Sequence, residues 1–177
     1  MKKIFVLLMF IVPMGMLAQQ KFGYVNSAEI IQVMPEFDKA QKELVELQKM
    51  YEDEFNAMRG ELEKKGAEFE KLQQDSVPEN ILKRRYEELM QLQERLQQYG
   101  QEVSTNLQQA EQEKMITIQK ALRDALEAVG ADGGFVCIFD LASGVPYISK
   151  TLCEDVTMKV RSKLGIPANA VPAAPLQ

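Results

Sequence analysis

Two long runs of helically spaced apolar residues, separated by six positions, constrain this chain more than anything else in it. The first run carries Phe37, Ala40, Leu44, Leu47, Tyr51, Phe55, Met58, Leu62, Phe69 and Leu72. The second carries Leu82, Tyr86, Leu89, Leu92, Leu96, Tyr99, Val103, Leu107, Ala110, Ile118, Leu122, Ala125 and Val129. Intervals of mostly three or four put an apolar stripe on one helix face and approach a coiled-coil seam. The break between them, Asp75-Ser76-Val77-Pro78-Glu79-Asn80, is short. Two long helices joined so tightly run antiparallel. The expected element is a helical hairpin over residues 35–130 with its turn at 75–80. Ser76 and Glu79 fit a capping box, with Pro78 tolerated in the first turn. The intervals drift from strict heptads toward an eleven-residue repeat, which lessens left-handed supercoiling. Gly60, Gly66 and Gly100 each cost about 1 kcal/mol against Ala inside a helix and mark soft points or bends.

The flanks read differently. Phe22 to Asn26 is rich in aromatic and β-branched residues and predicts a short strand. Asn26 with Glu29 fits a capping box for a short helix through Ile30, Ile31 and Met34, and Pro35 marks a bend. Beyond the second run, Gly130 reads as a helix C-cap and Ala131 to Gly134 as a turn. Phe135 to Phe139 is fully apolar, the pattern of a strand buried on both faces. Val145 to Ser149 predicts another strand, with Pro146 suited to an edge. Asp155 can cap a last helix closed by Gly165, and the Ala/Pro-rich stretch 166–177 reads as a disordered tail.

Residues 19–34 and 131–165 therefore make one small α/β body with the hairpin inserted between its first two strands, an α+β chain overall. A core of about 50 residues is marginal by itself. The doubly apolar strand also has too little local chain to cover it, which predicts an oligomer with a shared core. The residues expected in that core are Phe22, Tyr24, Val25, Phe135, Val136, Cys137, Ile138 and Phe139.

Composition narrows the chemistry. The chain has no His, which removes the commonest general base and zinc ligand. Gly130 to Gly134 follows a helix and precedes a strand, the reverse of a phosphate loop. The Glu-rich helices offer no isolated carboxylate pair, so no enzyme, metal site or cofactor is expected. Met1 to Ala18 reads as a secretory signal peptide: Lys2-Lys3, nine apolar residues from Ile4 to Val12, then Pro13, Gly15 and Leu17-Ala18. The run is shorter than the ~20 residues of a membrane span. No Cys follows it, so a lipoprotein site is not indicated. The net charge of −5 becomes −7 without Lys2 and Lys3, and an exported acidic chain is a poor nucleic-acid binder. In an oxidising compartment a disulfide between Cys137 and Cys153 could persist, closing a short loop; a buried thiol at Cys137 is the competing reading.

The order of motifs resembles a known family. Gly23-Tyr24-Val25-Asn26-Ser27, Ile30-Ile31 and Pro35-Glu36-Phe37 with Ala40-Gln41 resemble the N-terminal signature of the Skp/OmpH family of periplasmic chaperones. Phe135 to Asp140 is similar to that family's buried strand, and Asp155-Val156-Thr157 with Val160 and Leu164-Gly165 to its closing helix. The resemblance implies a homotrimer whose strands form a central β-barrel. Its three helical hairpins would hold unfolded outer-membrane proteins without nucleotide, in the periplasm. This sequence departs from the family's basic arm tips. Gly60 to Leu89 holds six basic and eight acidic residues, net −2, which leaves contact with a membrane or lipopolysaccharide open.

If the stripe is used for hairpin packing, client contact falls to apolar residues off it: Val45, Met50, Met90, Met115 and Ile116. Methionine suits promiscuous surfaces, although scattered surface apolars are also ordinary. Lys83-Arg84-Arg85 near the turn reads as a solvated face or as a contact for acidic client segments. An alternative function is a structural envelope coiled coil that spaces or tethers other components; the Gly-interrupted, non-heptad stripe argues against it.

Overall fold

Strand β1 (Lys21–Val25) leads into a short helix α1 (Ser27–Gln32), with Asn26 between them. Asn26 caps the helix: its Oδ1 accepts the Glu29 N–H at 3.3 Å, and its Nδ2 donates to Glu29 Oε2 at 3.4 Å. The computed structural model describes residues 20–75 and 77–172. The expected signal peptide (1–18), Ser76 and residues 173–177 lie outside the described residues. Then follow α2 (Pro35–Gln74), α3 (Glu79–Gly133), β2 (Phe135–Asp140), a 3-10 turn at Leu141–Ser143, β3 (Cys153–Asp155) and α4 (Thr157–Lys163). The chain divides into two units. Among the described residues, one comprises 20–30 together with Arg123–Ala168, and the other Ile31–Leu122 with 169–172.

In the first unit the strands lie in the order β2-β1-β3, all parallel. The sheet is open, so the closed barrel implied by the family resemblance is not formed within this chain. The strand expected at Val145–Ser149 is irregular; pairing occurs at Cys153–Asp155 instead. The reason is topological. A parallel partner on the far edge of β1 requires a crossover from β2, and residues 144–152 are spent on it. An irregularity between Lys21 and Phe22 leaves Val136 as the extra residue of β2.

α3 continues past Gly130, and Gly134, with φ 64°, takes the left-handed turn that ends it. Gly130 is instead an interior helical residue, where a Cβ would lie 3.7 Å from Ile138. Ala125 and Val129 of α3 are buried with Val25, Ile30, Val156 and Val160 in the core of this unit.

Polar anchors join the element ends. The Asp140 carboxylate accepts the Ser27 hydroxyl at 2.6 Å, the Ser27 N–H at 3.2 Å and the Ala142 N–H at 3.0 Å. The Asn26 N–H donates to Thr157 Oγ1, the Thr157 N–H to Asp155 Oδ1, and the Val156 N–H to the Tyr24 carbonyl. Asp155 thus bonds the start of α4 as its sequence position suggested. The stretch read as a disordered tail begins differently: Ile166 is buried and its N–H bonds the Arg161 carbonyl.

The second unit is an antiparallel helix pair. Pro35 stands at the first position of α2, after an extended Met34 and with Glu36 and Asp38 in the first turn, where carboxylates favour the dipole. α2 ends where Asp75 turns extended, and α3 opens with the N–H groups of Ile81 and Leu82 donating to the Pro78 carbonyl. Cross-helix partners fix the pairing. Glu43 meets Lys114, the rings of Tyr51 and Tyr99 meet edge-on at 6.3 Å, and Phe69 meets Tyr86 at 6.1 Å.

Candidate functional site

The residues expected to share a core divide between two environments. Tyr24 and Val25 are buried within their own unit, and Phe22, Phe135 and Ile138 are half-buried. Val136, Cys137 and Phe139 are exposed, Val136 to 61%. The expectation that β2 is buried on both faces is therefore corrected for the single chain. Gly23 and Ile138 lie together on one face, against the Phe135 ring, and the end of α3 approaches Ile138 there. Phe22 stacks on Phe139 at 6.4 Å. An apolar row on β2 is left open to solvent.

Cys137 and Cys153 are both free thiols. Each is in register with Phe22, but on opposite sides of β1. Two strand spacings of about 4.8 Å separate their backbones, well beyond the reach of a disulfide. The intrachain bridge is thus corrected, and so is the buried-thiol reading, since Cys137 is exposed.

At the C-terminal end of α3, Phe135 is gripped by charge. Lys21 Nζ lies 4.2 Å from the ring centroid and Lys159 Nζ 5.8 Å, while Lys21 bonds Glu154 at 2.8 Å. Lys159 also pairs with Glu154, and the two ammonium groups hold that carboxyl below its ordinary range. An open cleft of about 520 Å³ lies between α3 and α4, lined by Val129, Asp132, Met158 and Lys163 among others.

Of the off-stripe candidates, Val45, Met50, Met90 and Ile116 are exposed and Met115 is half-buried. The helices do not gather them into one patch. Val45 and Met50 point about 140° apart at 100° per residue. Met90 and Met115 share one line of α3 but stand roughly 38 Å apart along it. Only Met115 and Ile116 are neighbours. Of the basic triplet, Arg84 and Arg85 both reach Glu88, at 3.7 and 2.8 Å, and Arg85 foremost depresses that carboxyl's pKa.

The spacing argument passed over a cleft of about 300 Å³ between α2 and α3, lined by Tyr51, Phe55, Gly100, Val103 and Leu107. The available signal was a glycine beside the stripe, next to Tyr99, four residues after Leu96 and three before Val103. Beside it the Tyr99 hydroxyl donates to Glu54 at 2.7 Å; burial, and then that carboxylate, push the phenol up to about 12.

Residues 21–164 match the family described as Outer membrane protein (OmpH-like). The chain belongs to the OmpH-like family. A solved structure described as a candidate outer membrane chaperone (OmpH-like) from Caulobacter crescentus CB15 has a TM-score of 0.70 to it at 13% identity. The likeness covers 89% of this chain and 94% of that one. At that identity it establishes the shared fold. No curated protein matches the sequence. The α+β architecture of this OmpH-like chain, long helices with a small sheet, agrees with the first expectation from its sequence.

Among the described residues, no helix of the OmpH-like chain is long and apolar enough to cross a membrane. Its clefts are open to solvent, and its exposed apolar residues are distributed over β2, the two long helices, α4 and the segments at Tyr147, Leu152 and Val171. Such a surface can take up other apolar chains without a single deep site.

Proposed function

We propose that this OmpH-like chain is an ATP-independent holdase of the periplasm that keeps unfolded outer-membrane proteins from aggregating. The single observation that carries the proposal is the state of the hairpin seam. Most of its large apolar residues, Leu44, Leu47, Phe55, Leu62 and Leu96 among them, are only half-buried, and Val45, Met50, Met90 and Ile116 are exposed beside them. Many shallow apolar contacts delay aggregation while leaving the client mobile. The family and the Caulobacter likeness support this reading, as does the signal-like segment of residues 1–18. The exposed row Val136, Cys137 and Phe139 supports a homotrimer in which copies cover one another's β2.

The test is a light-scattering assay. A denatured outer-membrane barrel is diluted into buffer with and without the purified chain, in the absence of nucleotide. Suppression at near-stoichiometric trimer is expected, and unchanged scattering would overturn the assignment. Native mass spectrometry on the same preparation is expected to give three copies; a monomer would remove the trimer.

A further inference from the structure

One position beside the α3 stripe has no side chain. Leu96, Tyr99, Val103 and Leu107 follow the seam interval, and Gly100 stands next to Tyr99, four residues after Leu96 and three before Val103. A Cβ at Gly100 would meet Phe55 Cε2 at 3.7 Å, ordinary contact, so the space is real and can be filled. The cleft left there, about 300 Å³, has Tyr51, Phe55, Val103 and Leu107 as apolar walls and Glu52 at its edge. An apolar cavity of about 150 Å³ already admits benzene; this one has room for a client side chain.

Its rim is acidic. On α2 the segment Gln48 to Asn56 carries Glu52, Asp53 and Glu54 against Lys49. On α3 the segment Tyr99 to Leu107 carries only Glu102, so the two segments together carry net −3, and the charged residue that lines the cleft itself is Glu52. The Tyr99 hydroxyl bonds Glu54 without neutralising it. An apolar floor inside a negative rim selects by both properties.

We infer that the Gly100 cleft is a docking subsite for one aromatic or branched apolar side chain on an unfolded polypeptide segment that carries Lys or Arg beside it. The inference rests on the holdase assignment and narrows it from a distributed wall to one notch with a charge preference. The apolar group enters between Phe55 and Val103 while the flanking cation faces Glu52 and its neighbours. Positive client segments gain encounter rate from the same field.

The test compares the full chain without its leader with its Gly100→Leu and Gly60→Ala variants. The probes are short fluorescein-labelled unstructured peptides: one Phe flanked by Lys, the same Phe flanked by Glu, and Ala flanked by Lys. Gly100→Leu fills the notch and raises helix propensity; Gly60→Ala raises propensity where no atom lies within 4 Å of the new Cβ. Circular dichroism melting confirms that each variant is folded. By fluorescence anisotropy, the unsubstituted chain should bind the Phe–Lys peptide about tenfold more tightly than the Ala–Lys probe, since filling an apolar pocket is worth at least that, and more tightly than the Phe–Glu probe, whose charges oppose Glu52. Gly100→Leu should erase the preference and Gly60→Ala should keep it. Equal preference in Gly100→Leu overturns the subsite, and equal binding of the Phe–Glu peptide overturns its charge selectivity. A changed native mass in Gly100→Leu overturns it in favour of a second copy as the occupant. If the unsubstituted chain also fails to suppress barrel aggregation, the holdase assignment falls with it; if it suppresses aggregation while Gly100→Leu keeps its peptide preference, only the subsite falls.

Discussion

The two units bury their apolar side chains to different depths. In the first, Ile30, Val156 and Val160 are fully excluded from solvent, because a sheet face and three helices can surround each of them. In the second, only Met34, Ala40, Leu92, Ile118 and Leu122 are buried, while Leu47, Phe55, Leu62 and Leu96 stay half-exposed. A lone helix pair covers a seam from one direction only. The same hydrophobic pattern therefore builds a core in one unit and a partly wet surface in the other. Deep packing predominates in the first unit, which also leaves apolar surface on β2, while the hairpin keeps adaptable apolar area along much of its seam.

The largest test of that contrast is a pair of truncations. Ile30→Ala empties a fully buried site and should cost about 2–5 kcal/mol in urea unfolding. Leu62→Ala, on the half-exposed seam, should cost less than half as much because its methyls already touch water. Equal costs would mean that the seam is covered in solution, as an oligomer could do.

A second test uses glycines. A Cβ at Gly133 would sit 2.3 Å from the Phe135 ring, and that ring is itself held beneath Lys21 and against Gly23. Gly133→Ala should therefore destabilise by about 1–3 kcal/mol, the usual range for overpacking. Thermal melting that shows no loss would mean that the ring moves aside, and that the first unit is looser than its burial implies.

These contrasts also show what the sequence made legible. The hairpin was readable because its periodicity is local: every stripe residue lies three or four from a neighbour, and Pro35 and Pro78 punctuate the helix starts. The parallel sheet was not. Whether Val145–Ser149 or Cys153–Asp155 pairs with β1 depends on a partner more than 120 residues away in sequence and on the chain length needed to cross over. Three glycines between 130 and 134 made the end of α3 ambiguous, and only the positive φ of Gly134 resolves it. Of the five off-stripe residues four are exposed and Met115 is half-buried, and periodicity along each helix could not say that they scatter around it. Gly100 was visible as a glycine, but that its missing side chain leaves space against Phe55 depends on the facing helix.

The next effect is smaller and of opposite sign. Gly60 and Gly66 lie inside α2, and a Cβ at either meets no atom within 4 Å. Gly60→Ala and Gly66→Ala should each stabilise the chain by about 0.5–1 kcal/mol through helix propensity and a less flexible unfolded chain. The opposite responses of Gly66→Ala and Gly133→Ala would express the difference between the units in one substitution type. Destabilisation by Gly66→Ala would place a close neighbour on that helix face, which in solution would have to be another copy.

The smallest effect is electrostatic and falls on both units. Glu43, through its bond from Lys114, and Glu88, through Arg85, have lowered pKa values in the hairpin; Glu154, through Lys159 and then Lys21, has one in the first unit. A carboxyl whose folded pKa lies below its unfolded value contributes stability above the unfolded value and loses it as pH falls through the folded one. All three contributions should therefore be intact at neutral pH and disappear only below the ordinary carboxylate range, about pH 4. All three pairs are solvent-accessible and should be weakened by salt. Melting curves from pH 6 to pH 3 should show a modest fall in Tm, shallower in high salt, and Glu154→Gln should reduce the slope without removing it because Glu43 and Glu88 still titrate. A slope abolished by Glu154→Gln alone would mean that the first unit governs acid unfolding of the whole chain, and that the hairpin pairs add nothing to it.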